Sequence, residues 1–142
     1  MTIKGYEDLE VYRAGYGLAM RIHKVSQGLP GSERYELGQQ IRKAAISVPA
    51  NIAEGYGRKD SEKEFKHFLR NAMRSANEVM VYIDMMRDLD YVEEEVHATL
   101  KKEYEVLARK LYQLITTECP AKIATNKASS TLYTGLSLNR ML

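Results

Sequence analysis

Apolar residues recur along this chain at helical spacing from about Glu7 to Glu118, and nowhere do they alternate as a half-buried strand requires. The first segment, LEVYRAGYGLAMRIHKV, carries two adjacent stripes: Leu9, Tyr12, Tyr16, Ala19 and Val11, Leu18, Ile22, Val25. It stops at Gln27-Gly28-Leu29-Pro30-Gly31. Gly15 and Gly17 inside it each cost up to about 1 kcal/mol relative to alanine, tolerable where another backbone packs closely. A second helix is expected to begin near Ser32 or Glu33 and to end at Gly55 and Gly57. The third opens on a capping box, Ser61 with Glu64. Its core stripe is Phe65, Leu69, Ala72, Ala76, Val79, Ile83 and Met86, spaced 4, 3, 4, 3, 4, 3 like the seam of a left-handed bundle. After the link Asp90-Tyr91-Val92, with Asp90 and Glu93 as a weaker cap, a fourth helix repeats the pattern. Its stripe is Val96, Leu100, Tyr104, Leu107, Leu111 and Leu114, and it stops at Pro120.

Long helices joined by short links pack as antiparallel neighbours. The expected fold is therefore all-α, an antiparallel up-down four-helix bundle over residues 1–119 with a tail over 120–142. The tail is rich in Ser, Thr, Ala and Asn and has no sustained period, so it is expected to be flexible or ordered by a partner. Leu132, Tyr133, Leu136, Leu138 and Leu142 are its candidate docking residues.

A chain of 142 residues is long enough for one domain with a real core. The single cysteine, Cys119, allows no internal disulfide. The opening MTIKGYEDLE lacks a signal-peptide apolar core and no run approaches a membrane span, so the expectation is a soluble cytoplasmic protein without membrane contact. The net charge of +2 argues for no partner by itself, but it hides a polarised chain. Residues 33–74 carry 9 basic and 6 acidic groups, whereas 75–119 carry 5 and 10. The tail from Pro120 carries 3 basic groups and none acidic.

The stretch AAISVPANIAEGYGR, Ala44 to Arg58, contains a contradiction. Ile41, Ala45, Val48 and Ile52 repeat like one helix face, yet Pro49 sits among them, where it removes a hydrogen bond, frees the carbonyl of Ala45 and favours a kink. Ser47, Asn51, Glu54 and Arg58 share one flank of this helix, and Asn71, Ser75 and Glu78 share a flank of the third, followed by Tyr82. Two readings stand: an interhelical or intersubunit network that sets packing register, or a solvated boundary. Pro49, as the bend, belongs with this packing set.

Catalytic chemistry finds little here. Glu64-x-x-His67 and Glu94-x-x-His97, with Glu10 and Glu54, imitate the ligand set of a two-iron bundle on paper. Both pairs lie near the starts of antiparallel helices, however, so they are roughly 35–40 Å apart at 1.5 Å per residue. The expectation is solvated Glu and His on polar faces, with no metal and no cofactor. GYGRKDS lacks the spacing of a phosphate loop, and Cys119 has no basic partner nearby in sequence. No enzyme is expected.

The residues Leu29-Pro30, Glu33-Arg34-Tyr35, Leu37, Gln40-Ile41-Arg42, Ala44 to Gly55, and Gly57-Arg58 carry a resemblance. They are similar to a bacterial four-helix-bundle family whose founding members are encoded in intervening sequences of large-subunit ribosomal RNA genes. Tyr6-Glu7-Asp8-Leu9 with Val11-Tyr12 resembles that family's start, and Ser75 to Glu78 matches its Ser-x-x-Glu. Arg74 departs from it, standing where a glycine is usual, which puts in doubt a close helix contact at that point. The likeness spans about residues 3–118. It implies a homo-oligomer, typically a five-membered ring, without catalytic residues. A weaker likeness, to the accessory variability determinants of diversity-generating retroelements, implies a reverse transcriptase and its template RNA as partners.

One surface matches that implication. Lys63, His67, Arg70 and Arg74 recur at 4, 3 and 4 on the outer face of helix three, flanked by Lys66 and preceded by Arg58 and Lys59. Multiplied in a ring, such a patch gives salt-sensitive affinity for RNA or DNA. The competing reading is a solvated face, since Asp60, Glu62 and Glu64 dilute it and no interleaved aromatic base reader is evident. Two functions therefore stand: a ring-forming RNA-associated accessory protein, or an oligomeric protein-binding scaffold that touches no nucleic acid.

Overall fold

The computed structural model describes residues 2–117; the expectations for Cys119 and the tail lie outside them. Four helices make up the described chain: α1 (Glu10–Gln27), α2 (Leu37–Gly57), α3 (Glu62–Asp88) and α4 (Glu94–Thr116). No strand occurs among the described residues. Short 3-10 turns at Tyr6–Asp8 and Gly31–Arg34 precede α1 and α2.

Contacts between helices set their directions. Gly15 of α1 lies against Val48 and Pro49 of α2, while Ser26, later in α1, bonds Arg42, earlier in α2. Ser47 of α2 meets Ser75 of α3, and Gly55 meets Phe65 and Phe68. Asp84 near the end of α3 bonds His97 and Lys101 near the start of α4. Glu10 at the start of α1 pairs with Lys110 late in α4. Successive helices therefore run in opposite directions, and α4 closes against α1.

All seven residues of the expected α3 stripe are buried, which a strict 4-3 repeat achieves when it faces one seam. Ser61 caps α3 by accepting from the Glu64 amide at 3.3 Å. In α1 the two expected stripes part company. Val11, Leu18 and Ile22 are buried with Gly15 and Ser26, whereas Tyr16 is 53% exposed and Tyr12 half-buried. The reason is Gly15: a Cβ there would stand 3.1 Å from Val48 Cγ1, so α2 approaches on the glycine side. Gly17 faces open space and has no such justification.

Three boundaries differ from expectation. The segment Gly31–Arg34 forms a 3-10 turn instead of the first turn of α2, because Leu29 and Leu37 both have to reach the core. Asp90 does not cap α4. It lies in the left-handed region (φ 59°), with its amide bonded to Arg87 O and the Tyr91 amide to Met86 O, the double bond of a Schellman closure of α3. In α4, Val96 is exposed and His97 takes the buried position one residue on, so the stripe enters the core at His97 and continues through Leu100, Tyr104, Leu107, Leu111 and Leu114.

α2 continues through Pro49, which is buried with Val48 and Ile52 against the Gly15 side of α1. The proline ring thus fills the contact that Gly15 opens. No helix among the described residues is long and apolar enough to cross a membrane.

Candidate nucleic-acid interface

The two polar flanks meet at one point. Ser75 Oγ donates to Ser47 Oγ at 2.9 Å, and Asn51 Nδ2 donates to Ser47 O and Oγ at 2.8 and 2.9 Å. This half-buried node ties α2 to α3 through residues about half a turn before and after Pro49. The remaining flank residues bond within their own neighbourhood. Glu54 accepts from Arg58 Nε at 3.0 Å, and Glu78 accepts from Tyr82 Oη at 2.9 Å, which pushes the Tyr82 hydroxyl pKa up. Asn71 joins the basic face: its amide lies 3.4 Å from His67 Nε2, and its oxygen accepts from Arg74 Nη1 at 3.1 Å.

Of the seven basic-face candidates, His67 lies against Asn71 and Phe68, and the other six fall into two groups. Arg58 is paired with Glu54 and, at 3.6 Å, with Glu64, and its guanidinium lies over the Phe68 ring. Lys66 pairs with Glu62 at 2.8 Å, and Lys59 lies 4.3 Å over the Tyr56 ring. Lys63, Arg70 and Arg74 have no acidic partner among the described residues, and all three are exposed. Arg74 is exposed and donates to Asn71 of its own helix. The positive potential available to a phosphate therefore comes chiefly from these three.

The expected solvated His97 is instead buried. Its Nε2 donates to Asp84 Oδ1 at 2.8 Å, and Lys101 Nζ donates to both Asp84 oxygens at 2.8 and 2.6 Å. Lys101 first, then His97, hold the Asp84 carboxyl below its ordinary range. His97 Nδ1 has no hydrogen-bond partner, with Glu94 Oε1 3.9 Å away. Asp84 thereby locks the α3–α4 hairpin. Nothing in the sequence marked this, because the partners come from two helices and His97 sits one residue off the apolar stripe. Buried Tyr104 also carries an unpartnered hydroxyl, and burial pushes its pKa up.

Among the described residues no three of His, Cys, Asp and Glu gather as a metal site. Glu10 is engaged with Lys110, and Glu54 with Arg58. Between α1 and α4 runs a groove of about 700 Å³ with Ala14, Leu18 and Val106 in its walls, crossed by the Arg21–Glu103 and Lys110–Glu10 pairs.

Sequence reasoning also missed an aromatic cluster. Tyr6 stands edge-on to Tyr12, centroids 4.8 Å apart, and Tyr12 is tilted against Tyr16 at 6.0 Å. Tyr12 and Tyr16 line a hollow of about 350 Å³ with Glu7, Arg13 and Gly17. The spacing of Tyr12 and Tyr16 places both on an apolar stripe, but only Tyr12 packs against the core.

These features define a class: a four-helix bundle stitched by a polar node between α2 and α3 and bearing a cationic outer face. The sequence profile of the 23S rRNA-intervening sequence protein family matches residues 7–113, and the chain belongs to that family. A crystal structure of a protein with unknown function from the S23 ribosomal protein family of Bacteroides thetaiotaomicron is similar in fold, with a TM-score of 0.69. The two share 22% identity over 75% of this chain and 99% of that one, a likeness of fold alone. No curated protein matches.

Proposed function

We propose that the protein is a non-enzymatic, oligomeric, nucleic-acid-associated accessory protein, built as a ring of five bundles and serving RNA, with a reverse transcriptase of a diversity-generating retroelement as a candidate partner. The observation that carries the reading is the outward set Lys63, Arg70 and Arg74, three cations without acidic partners on one helix face. The family's name, which refers to intervening sequences of 23S rRNA, supports an RNA context. Three cations per subunit give weak binding alone, and a ring multiplies them through effective concentration. Shallow surface grooves, with Asp84 engaged by Lys101 and His97 and Tyr104 buried in helix packing, support a role without bond chemistry.

A second reading has its own support. Tyr35, Met85 and Leu89 are exposed apolar side chains around a hollow that Tyr82 also lines, a surface suited to another protein. Filter binding with single-stranded and duplex RNA across salt separates the two. The first reading expects binding that falls steeply with salt, with a slope near −0.7 per neutralised phosphate on single strands. Reversing Lys63, Arg70 and Arg74 to glutamate together should weaken it at least tenfold and flatten that slope. No binding at low salt refutes it and leaves the scaffold. Light scattering at micromolar protein tests the ring: a monomer mass refutes it.

A further inference from the structure

The tyrosine hollow lies in the same half of the bundle as the basic face. Gly15 stands level with Val48 and Pro49, and Ser47 stands level with Ser75. Because neighbouring helices are antiparallel, Glu10–Tyr16 of α1 share that half with the end of α2 and with α3 up to Arg74. α1 and α3 are diagonal, and the α2–α3 loop at that end of the bundle carries Arg58 and Lys59. The fold thus places an aromatic element in the same half of the bundle as the basic stripe.

The hollow itself has the chemistry of a base site. Tyr16 is 53% exposed and stands outside the core, while Tyr12 beside it packs edge-on against Tyr6. Arg13 Nη2 donates to the carbonyl of Asp8 at 3.0 Å, which anchors the guanidinium and leaves its other N–H groups open. The Glu7 carboxylate, also in the lining, makes no ion pair among the described residues. A volume of about 350 Å³ lies at the small end of ligand clefts, suited to one flat heterocycle and not to a cofactor.

We infer that the hollow of Tyr12, Tyr16, Arg13 and Glu7 is a stacking subsite for one unpaired nucleobase of a single strand whose phosphates run toward Lys63, Arg70 and Arg74. The inference rests on the nucleic-acid reading above and narrows its ligand to single-stranded segments. Stacking on the ring is sequence-tolerant, and Glu7 adds a preference for bases that present an exocyclic amino group, as a carboxylate accepts from cytosine N4.

Two measurements test it. In filter binding with a 15-nucleotide single strand and the matching duplex, Tyr16→Ala should weaken the single strand by about five- to hundredfold, the range of one aromatic–base stack. It should leave duplex binding and the salt slope unchanged, since no phosphate contact is lost; Tyr16→Phe should keep wild-type affinity. Equal binding of both RNAs by wild type and Tyr16→Ala overturns the subsite and leaves the cationic face standing. Separately, titration of the intact protein with cytidine monophosphate, followed by proton NMR, reads the hollow without the basic face. Upfield shifts of the Tyr12 and Tyr16 ring protons, reduced by Glu7→Ala, support the subsite even where long RNA fails to bind. Unmoved ring protons at millimolar nucleotide overturn it.

Discussion

Two glycines two residues apart in one helix should respond oppositely to the same substitution. Replacing either by alanine removes the conformational-entropy penalty of glycine in a helix, worth up to about 1 kcal/mol. At Gly17 a new Cβ meets nothing within 4 Å, so Gly17→Ala should keep the whole gain. At Gly15 the Cβ would sit 3.1 Å from Val48 Cγ1, 3.6 Å from Pro49 N and 3.7 Å from Pro49 Cδ. The Pro49 distances are ordinary van der Waals contacts, but Val48 is fully buried and β-branched, with little rotamer freedom, so it does not yield easily. Overpacking of this kind costs about 1–3 kcal/mol. Gly15→Ala should therefore be less stable than Gly17→Ala by about 1–3 kcal/mol. Urea unfolding followed by circular dichroism at fixed protein concentration resolves this as a midpoint difference of about 0.5–1.5 M, for a slope near 2 kcal/mol/M. In a Val48→Ala background the steric term disappears, and Gly15→Ala should become stabilising, a coupling that a double-mutant cycle reads directly. If Gly15→Ala stabilises as much as Gly17→Ala in the native background, the close α1–α2 approach at Pro49 is refuted.

The Asp84 cluster makes a pH prediction. Because Lys101 and His97 lower the folded carboxyl, its stabilisation is complete above the unfolded value near 3.9 and is lost as pH falls through the lower folded value. Asp84→Asn should cost about 1–2 kcal/mol at pH 7, a figure reduced for the partial exposure of Asp84, and wild type and variant should converge as the pH falls below the lowered carboxyl value; a gap that persists undiminished at pH 2 contradicts the assignment. Ser47→Ala removes the acceptor of Ser75 and of Asn51, and should cost about 1 kcal/mol with helicity retained; no change in the urea midpoint would show the node to be energetically idle. Asn51→Leu should leave helicity high while altering subunit number or register, and an unchanged mass by light scattering contradicts that packing role.

Much of the fold could be read from residue order. The seven-residue stripe of α3, the Ser61 cap and the stop at Leu29-Pro30-Gly31 each follow from local chemistry, because helical period, capping and backbone restriction act within a few residues of one another. The three strongest cations of the outer face were equally legible, being on one helix at regular spacing. What stands opposite a residue was not. Whether Val96 or His97 enters the core, whether Tyr16 is buried, and why Pro49 is tolerated all depend on how two helices cross, and periodicity determines a stripe only to within a neighbouring phase.

By itself, then, the order of residues determined four amphipathic helices, their ends to within about a turn except at the start of α2, and the faces that are apolar or charged. Tertiary structure alone decided that Gly15 makes room for Pro49, that Ser47 meets Ser75, that Asp84 finds His97 and Lys101, and that the tyrosines share one half of the bundle with the cations. Each of these joins residues far apart along the chain. Their proximity follows from antiparallel packing around a common core, where the free energy of burying apolar surface selects one register and carries the polar partners with it.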